Sequence, residues 1–491
     1  MRKAVLFVLL LAAVGAAAQT PTLIQDVNCP NSGDYGSGTG NTYTCALPEP
    51  VSATGNIVLI GIFSGNTSNS TVADDKSDTI TNATAATDSD SNRIEVWYTY
   101  ATAGTRTFTI TPASTGGYVS VHLSEYFNVG ALDTKNCHTA TSSSTSITAG
   151  SITPTASGDL LWQIAENDTV ASVASFTAST QSNWAASLNK VSIHDGFGAQ
   201  AGIYSSTAAI NPTLTAGTSK TYDSCVMALK PATAGGAPSA RFRIVGLLHE
   251  QMVSGQSSPQ AIQFPTSGNH MIAISFEGGN IAMCLASGNP SGCTSGISSS
   301  PSNAWASTGT ASDATASVPQ IFYVCSANTS NAMTISIPFE GPGPPYSTYL
   351  VYEIAGAAPT SCLDTDSGVV SGNQTSIVSS LTTCSACVTT SSASGELILG
   401  NFGQNDCTAT AVTAPSGGLF DAAVYTGNNY NGPQNVDQNN GWFHAYSTSG
   451  SMAITSTYSE SCSGEAEDEW YGRVAAFRPA ASTRRRAWVT Q

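Results

Sequence analysis

The fold is decided by Gly117-Tyr118-Val119-Ser120-Val121-His122-Leu123-Ser124-Glu125-Tyr126, which the chain uses a second time as Tyr346-Ser347-Thr348-Tyr349-Leu350-Val351-Tyr352-Glu353-Ile354. In both copies apolar side chains recur at every second position, which is the period of a β-strand. This period places Glu125 and Glu353 at the end of a row of apolar side chains. The repeat predicts two similar β units.

Further blocks repeat in the same order around this strand. Leu132-Asp133-Thr134 recurs as Leu363-Asp364-Thr365, Ser157-Gly158-Asp159-Leu160-Leu161 as Ser394-Gly395-Glu396-Leu397-Ile398, and Ala228-Leu229-Lys230-Pro231 as Ala476-Phe477-Arg478-Pro479. Because Pro cannot donate to a ladder, each closing strand ends there. The pattern predicts an all-β chain of two tandem antiparallel β-sandwich units, each with the size of a jelly-roll or concanavalin-like sandwich.

The boundaries follow from composition. A charged Arg2-Lys3, an apolar Val5–Val14 and a small-residue Ala16-Ala17-Ala18 predict a signal peptide at 1–18. We expect a first unit with a Gly/Asn/Ser-rich N-terminal segment at 19–232, a linker at 233–241, a second unit at 242–481 and a tail at 482–491. No stretch of the mature chain is apolar enough to predict a membrane span.

Export favours disulfide bonds among the 12 cysteines, of which four precede the midpoint and eight follow it. Cys29 with Cys45, and Cys284 with Cys293, are close enough in sequence to staple single loops. The remaining pairings stay open at this stage.

The repeated blocks resemble the tandem Gly/Ser/Thr-rich β-sandwich repeat domains of bacterial secreted and cell-surface proteins. The residues that carry the resemblance are the apolar opening strand Asn56–Phe63, Ser124-Glu125-Tyr126, Ser157–Leu161 and the closing strand before Pro231. The resemblance implies a sandwich fold and an extracellular setting. It brings no catalytic residue with it.

The net charge of −16 comes from 16 basic and 32 acidic residues. A protein that binds nucleic acid needs a basic surface for the phosphates, so nucleic acid is not an expected partner.

Catalysis is the less favoured interpretation. Glycoside hydrolysis needs two carboxylates about 5 to 10 Å apart, and Glu125 and Glu166 are the candidates in the first unit. The second copy keeps Glu353 but has Gly403 or Gln404 near the position of Glu166. Because the Glu is repeated without the second carboxylate that hydrolysis needs, it is interpreted as a buried acceptor for backbone donors. A Ser-His-Asp triad stays open, since its members need not be adjacent in sequence.

Asp88, Asp90 and Asn92 alternate along one segment and offer oxygen ligands of the type that calcium prefers. The segment lacks the Gly and the distal Glu of an EF-hand loop, so a solvated polar loop is the alternative. Calcium is the one cofactor that the sequence suggests.

A second candidate site combines an aromatic pair with amides. Tyr430 and Trp442 are predicted to stack against sugar rings, with hydroxyl groups pairing with Asn429, Asn431 and Gln434. The alternative for Trp442 is an ordinary core position in the sandwich.

These observations predict a secreted, non-catalytic protein that binds glycans or a cell surface, or mediates adhesion. A secreted carbohydrate-active hydrolase using first-unit carboxylates is the alternative. A structural component of a surface layer or matrix is another.

Overall fold

The computed structural model describes residues 20–29, 42–65, 68–88, 92–113, 119–167, 176–177, 184–191, 197–232, 242–252, 259–264, 266, 269–279, 282–288, 291–308, 320–328, 333–340, 346–368, 370–374, 381–383, 395–404, 408–413, 418–426, 439–447, 456–461 and 468–480. Every regular element in these ranges is a β-strand. The predicted signal peptide, linker and tail lie outside them.

The first half of the chain forms sixteen strands within the described ranges. They are β1 (Thr22–Cys29), β2 (Tyr43–Ala46), β3 (Ile57–Ser64), β4 (Thr71–Asp74), β5 (Thr81–Thr87), β6 (Arg93–Tyr100), β7 (Thr107–Thr111), β8 (Val119–Phe127), β9 (Val129–Thr139), β10 (Ser144–Thr148), β11 (Asp159–Asn167), β12 (Phe176–Thr177), β13 (Trp184–Val191), β14 (Phe197–Tyr204), β15 (Thr213–Lys220) and β16 (Tyr222–Pro231).

The second half contributes nineteen more strands to the part of the chain that is described. They are β17 (Arg243–Met252), β18 (Gln260–Gln263), β19 (Met271–Gly279), β20 (Ala282–Met283), β21 (Ser298–Ser300), β22 (Ala306–Ser307), β23 (Gln320–Val324), β24 (Thr334–Ile337), β25 (Phe339–Glu340), β26 (Tyr346–Ala355), β27 (Leu363–Asp366), β28 (Val370–Gln374), β29 (Leu381–Thr383), β30 (Leu397–Gln404), β31 (Thr408–Thr413), β32 (Gly418–Thr426), β33 (Asn439–Tyr446), β34 (Ser456–Ser461) and β35 (Asp468–Phe477).

A single ten-stranded sheet runs through both halves. Its order is β22-β23-β19-β26-β17-β1-β8-β3-β6-β5, and all of its pairs are antiparallel except β1 with β17, which are parallel. Strand β3 is buried at every position, as expected for a central strand with both faces covered. Its apolar sequence, with no polar alternation, follows from this double burial.

The first half stacks other sheets on both faces of the ten-stranded sheet. On one face, Leu59 shares an apolar cluster with Leu160 of the five-stranded sheet β13-β14-β11-β16-β9. On the other face, Ile60 shares a cluster with Phe108 of the small sheet β2-β7-β4. A third sheet, β10-β15-β12, packs on the far side of the five-stranded sheet, where Leu214 joins the cluster of Ala165.

The second half is built in the same way, but with the faces exchanged. Ala273 shares a cluster with Leu399 of the sheet β27-β35-β30-β33-β32, to which β28 also pairs, whereas Ile274 packs with Ile335 of the small sheet β18-β24-β21. Val27 and Leu247 are register neighbours and belong to the same cluster as Ala273. The five-stranded and six-stranded sheets therefore lie on opposite faces of the shared sheet.

The all-β class predicted from the sequence is confirmed. The register also places the two repeated glutamates on equivalent strands, since Glu125 lies opposite Val58 and Glu353 lies opposite Ile272. The division into two separate sandwiches stays a prediction, because the two halves share one sheet. No helix among the described residues has the length and apolar character that a bilayer crossing requires.

Among the described residues, four disulfide bonds are present, and each joins two cysteines of the same half of the chain. The predicted pairs Cys29–Cys45 and Cys284–Cys293 are present, and Cys137–Cys225 and Cys325–Cys362 accompany them. Cys384, Cys387, Cys407 and Cys462 lie outside the described residues.

The two disulfides Cys137–Cys225 and Cys284–Cys293 give a matched test of what the cross-links contribute. Their sequence separations are 88 and 9 residues, so the first restricts the unfolded chain far more. By loop-closure entropy, the two contribute about 4.5 and about 2.5 kcal/mol. Urea unfolding of the two Cys→Ala double variants is expected to show the larger loss for Cys137/Cys225. Equal losses would contradict this account.

Candidate functional site

The repeated blocks of the sequence meet in one cluster in the first half. Asp133, from the Leu-Asp-Thr block, pairs with Lys230 of the closing strand at 3.2 Å between Oδ1 and Nζ. The Thr155 hydroxyl donates to the same oxygen at 2.6 Å. Asp159, the first residue of β11, is fully buried beside Asp133 and completes the cluster.

The second half repeats this cluster with different residue types. The side chain of Asp364 is fully buried and pairs with Arg478, the counterpart of Lys230. Glu396, the counterpart of Asp159, is also fully buried and interacts with Asp364. Both copies thus combine a buried acid pair with one half-exposed cation.

Electrostatics separates the two acids of each pair. Burial, followed by the hydrogen bond and the charge of the neighbouring Asp133, raises the pKa of Asp159 to about 7. Burial opposes ionisation of Asp133 as well, but hydrogen bonds from Thr155, Asp159 and Lys230 lower its pKa to about 2. In the second copy, burial and then the charge of Asp364 raise the pKa of Glu396 to about 7. Below about pH 7, Asp159 and Glu396 therefore keep their protons and can donate a hydrogen bond to the neighbouring carboxylate. Two ionised carboxylates could not pair in this way, because both would only accept.

The repeated glutamates are buried, and most of the groups that contact their carboxylates are side chains, not the backbone donors that the sequence indicated. Glu125 is fully buried and accepts hydrogen bonds from Gln25 and Asn56 at 2.5 Å and from the Ser52 hydroxyl at 3.1 Å. His270 occupies the position equivalent to Asn56 and contacts Glu353 at 2.8 Å. These contacts hold the residue before β3 against β8 in the first half, and the residue before β19 against β26 in the second.

A Ser-His-Asp group does form, but it is closed to substrate. Ser124 Oγ and Asp26 Oδ1 each lie 3.0 Å from the same ring nitrogen, Nε2 of His122. A catalytic triad needs its serine and its aspartate on different nitrogens of the imidazole. All three residues are buried, His122 stacks on Trp162, and the space beside them has no room for a water-sized molecule. The group is a buried polar network.

Glu166, the other catalytic candidate, lies in a different place from Glu125. Its carboxylate approaches those of Asp88 and Asp223, with ligand atoms of the three residues all within 4.8 Å of one another. Of the predicted calcium ligands, Asp88 belongs to this group. Asn92 donates two hydrogen bonds to the Asp88 carboxylate, from its backbone amide at 2.8 Å and from its side-chain amide at 3.0 Å. Asp90 lies outside the described residues. Burial raises the pKa of Asp223 to about 6.

The predicted aromatic binding edge needs a correction. Trp442 is fully buried and packs in the large apolar cluster that also contains Leu399 and Phe477, so its ring cannot stack against a sugar. It is a core residue because alternate positions of β33 face the ten-stranded sheet. Tyr430, Asn429, Asn431 and Gln434 lie outside the described residues, and their proposed role stays a prediction.

An open cleft lies elsewhere in the second half. It encloses about 370 Å³ and is lined by Ser302, Asn303, Ala304, Ala306, Tyr323, Val324, Cys325, Ser326, Asn328 and Pro359. Asn328 donates from its side chain to the Ser302 carbonyl at 2.6 Å, and its backbone amide donates to Asn303 Oδ1 at 2.7 Å. The cleft wall is therefore braced by its own polar groups. Nothing in the sequence indicated the cleft, because its lining comes from three separate segments of the chain.

No protein family matches the chain, and no characterised protein or solved structure is similar to it at a significant level. The site residues therefore have to be interpreted from their own geometry and chemistry.

The buried acid pairs predict how stability depends on pH. Asp159 and Glu396 keep a proton in the folded protein up to about pH 7. In the unfolded chain they release it near pH 4. Because the unfolded state binds fewer protons between these limits, the free energy of unfolding should fall from about pH 4 to about pH 7 and then level off. Urea unfolding across this range should show a shallower fall for Asp159→Asn and for Glu396→Gln.

Identical slopes in the parent protein and both variants would show that these acids are not protonated in the folded state. Asp133 acts in the opposite direction, since its stabilising charge is lost as the pH falls from about 4 towards about 2. Asp133→Asn should therefore be most destabilising above pH 4.

Trp442→Ala tests the corrected role of this residue. Removing a fully buried indole is expected to cost about 3 to 5 kcal/mol of unfolding free energy. Tyr100, which is 42% exposed and donates a hydrogen bond to the Gly130 carbonyl, provides the control, since Tyr100→Ala should cost only about 1 to 2 kcal/mol. Urea unfolding measures both. A Trp442 variant as stable as the parent would restore the surface interpretation.

Proposed function

We propose that the protein is secreted, has no catalytic role, and binds neutral glycans at a cell surface or in an extracellular matrix through the cleft of its second half. The observation that carries this proposal is the chemistry of the cleft, whose described lining contains amides, hydroxyls and a tyrosine ring but no charged side chain.

The lining suits a sugar ring in both of its chemical aspects. Asn328 and Ser302 are exposed and offer groups that can pair with hydroxyls. Tyr323, Pro359 and Ala304 offer apolar surface for the carbon face of the ring. A volume of about 370 Å³ falls within the range of small-ligand sites, which begins at about 300 Å³. The lack of charge in the lining favours neutral sugars over uronic acids or phosphorylated glycans.

The cleft is also held rigid before any ligand arrives. The Cys325–Cys362 disulfide fixes one wall, and the bonds from Asn328 to Ser302 and Asn303 fix another. A preformed site loses less conformational entropy on binding, which favours affinity.

The candidate carboxylates for hydrolysis are not part of this cleft. Glu125 is enclosed by Gln25, Ser52 and Asn56, and Glu166 lies with Asp88 and Asp223 in the first half. Binding without turnover is therefore the function that the cleft favours. The signal-peptide pattern at 1–18 and the four disulfides support secretion.

Ala304→Trp tests the proposal, because it fills the cleft without removing a hydrogen bond. Ala304 is exposed, so the variant should fold. Binding of the parent to a panel of neutral oligosaccharides is expected, with affinity reduced at least about tenfold in the variant, a change of about 1.4 kcal/mol. Ala103→Trp, at an exposed turn in the first half, is the matched control and should bind as the parent does.

Two results would overturn the proposal. One is the absence of binding to every neutral oligosaccharide of the panel. The other is binding that Ala304→Trp leaves unchanged, which would place the glycan elsewhere. Release of reducing ends from a bound polysaccharide would instead favour the hydrolase.

A further inference from the structure

Three acidic side chains come together at one end of the first-half sandwich, between its two main sheets. Asp88 follows β5 of the ten-stranded sheet, whereas Glu166 is on β11 and Asp223 is on β16 of the five-stranded sheet. Their ligand atoms all lie within 4.8 Å of one another. From this geometry we propose that Asp88, Glu166 and Asp223 bind a calcium ion that joins the ends of the two sheets.

The register makes the acids close neighbours on the same face. Glu166 lies directly opposite Asp223, and Asp223 lies directly opposite Thr139. Two positions further along, Ile164 and Cys225 share the apolar cluster that faces the ten-stranded sheet. The two acids therefore point into the sandwich, where two like charges on opposed strands repel each other and destabilise the pair.

The environment of the Asp223 carboxylate indicates a missing ligand. Its side chain is fully buried, and neither carboxylate oxygen makes a hydrogen bond of normal geometry. The Thr139 hydroxyl and the Asp88 amide are near enough to influence it, but that amide already donates to the Asn92 carbonyl at 3.0 Å. Buried carboxylates without partners are rare in native proteins, because burial of an uncompensated charge is costly.

The nearby Arg93 makes its direct contacts with residues outside the acidic group. Arg93 lies 3.8 Å from Glu95 and donates to the side chains of Thr87 and Asn69. It faces the acidic group from β6 but makes no ion pair with Asp223 in the described structure. The Arg93 charge acts on Asp223 without an ion pair, so a bound divalent cation would supply the direct contact that Arg93 does not make.

The second half provides an internal comparison. Gly403 pairs with Tyr471 at the register position where Glu166 pairs with Asp223. Both acids are thus replaced together, although the surrounding strands are the same. A paired change of this kind is expected if the two acids serve one purpose in the first half.

The donor set selects the metal. All three side chains offer carboxylate oxygens, with the Thr139 hydroxyl close to Asp223, and no sulfur or imidazole is among them. Hard cations prefer such oxygen ligands, and calcium accepts irregular arrangements that magnesium does not. Asp88 is held in place by Asn92 and is only half-buried, which leaves an approach from solvent.

The test uses the full chain, stripped of metal with EDTA and then titrated with CaCl2. Calorimetry is expected to show one site, and the melting temperature should rise with calcium. Asp223→Asn and Glu166→Gln should each abolish both responses. Because each amide also removes a repelling charge, these variants should melt at or above the temperature of the metal-free parent. Asp159→Asn, another buried acid outside the group, is the matched control and should keep the full calcium response.

Each alternative outcome is distinct. Failure of the parent to bind calcium, or binding that persists in Asp223→Asn and Glu166→Gln, would overturn the site. Tighter binding of Mg²⁺ than of Ca²⁺ would overturn the assignment of the metal. A metal-free Asp223→Asn variant that unfolds more easily than the metal-free parent, with no calcium response in the parent, would show that the acids share a proton instead.

Discussion

Parallel pairing of β1 with β17 is the contact on which the architecture depends. Val27 and Asn28 lie beside Leu247 and Leu248, and through this seam two five-stranded groups become one sheet. The Arg243 guanidinium donates across the seam to the Ile24 carbonyl at 2.8 Å. Without the seam, each half would expose an unpaired edge strand next to its central strand, which proteins usually avoid.

A second link crosses the same boundary and involves buried polar groups. Glu49 of the first half lies 3.1 Å from Nε2 of His444, on β33 of the second half, and also accepts a hydrogen bond from Tyr446. Burial would raise the pKa of Glu49, but the charge and hydrogen bond of His444 outweigh it and leave that pKa lowered. The two halves are therefore joined through polar side chains as well as backbone.

The sequence predicted much of the fold because the repeat preserves whole strands. The all-β class, the equivalence of Glu125 and Glu353 and two of the disulfides could be read from it. The seam could not, because β1 (Thr22–Cys29) lies in a segment whose Gly/Asn/Ser content resembles a loop. Trp442 was misjudged because polar neighbours in sequence were taken as a sign of exposure, whereas His444, two positions along on the same face of β33, is fully buried as well. Asp88 was found by its local pattern, but Glu166 and Asp223 join it only through long-range pairing.

The exchange of faces between the halves has a geometric consequence. Because the five-stranded and six-stranded sheets stand on opposite faces of the common sheet, equivalent outer surfaces of the two halves look in opposite directions. The duplication therefore places one large sheet on each side of the shared sheet, and not two sandwiches in the same orientation. Contacts made by corresponding surfaces would therefore lie on opposite sides of the shared sheet.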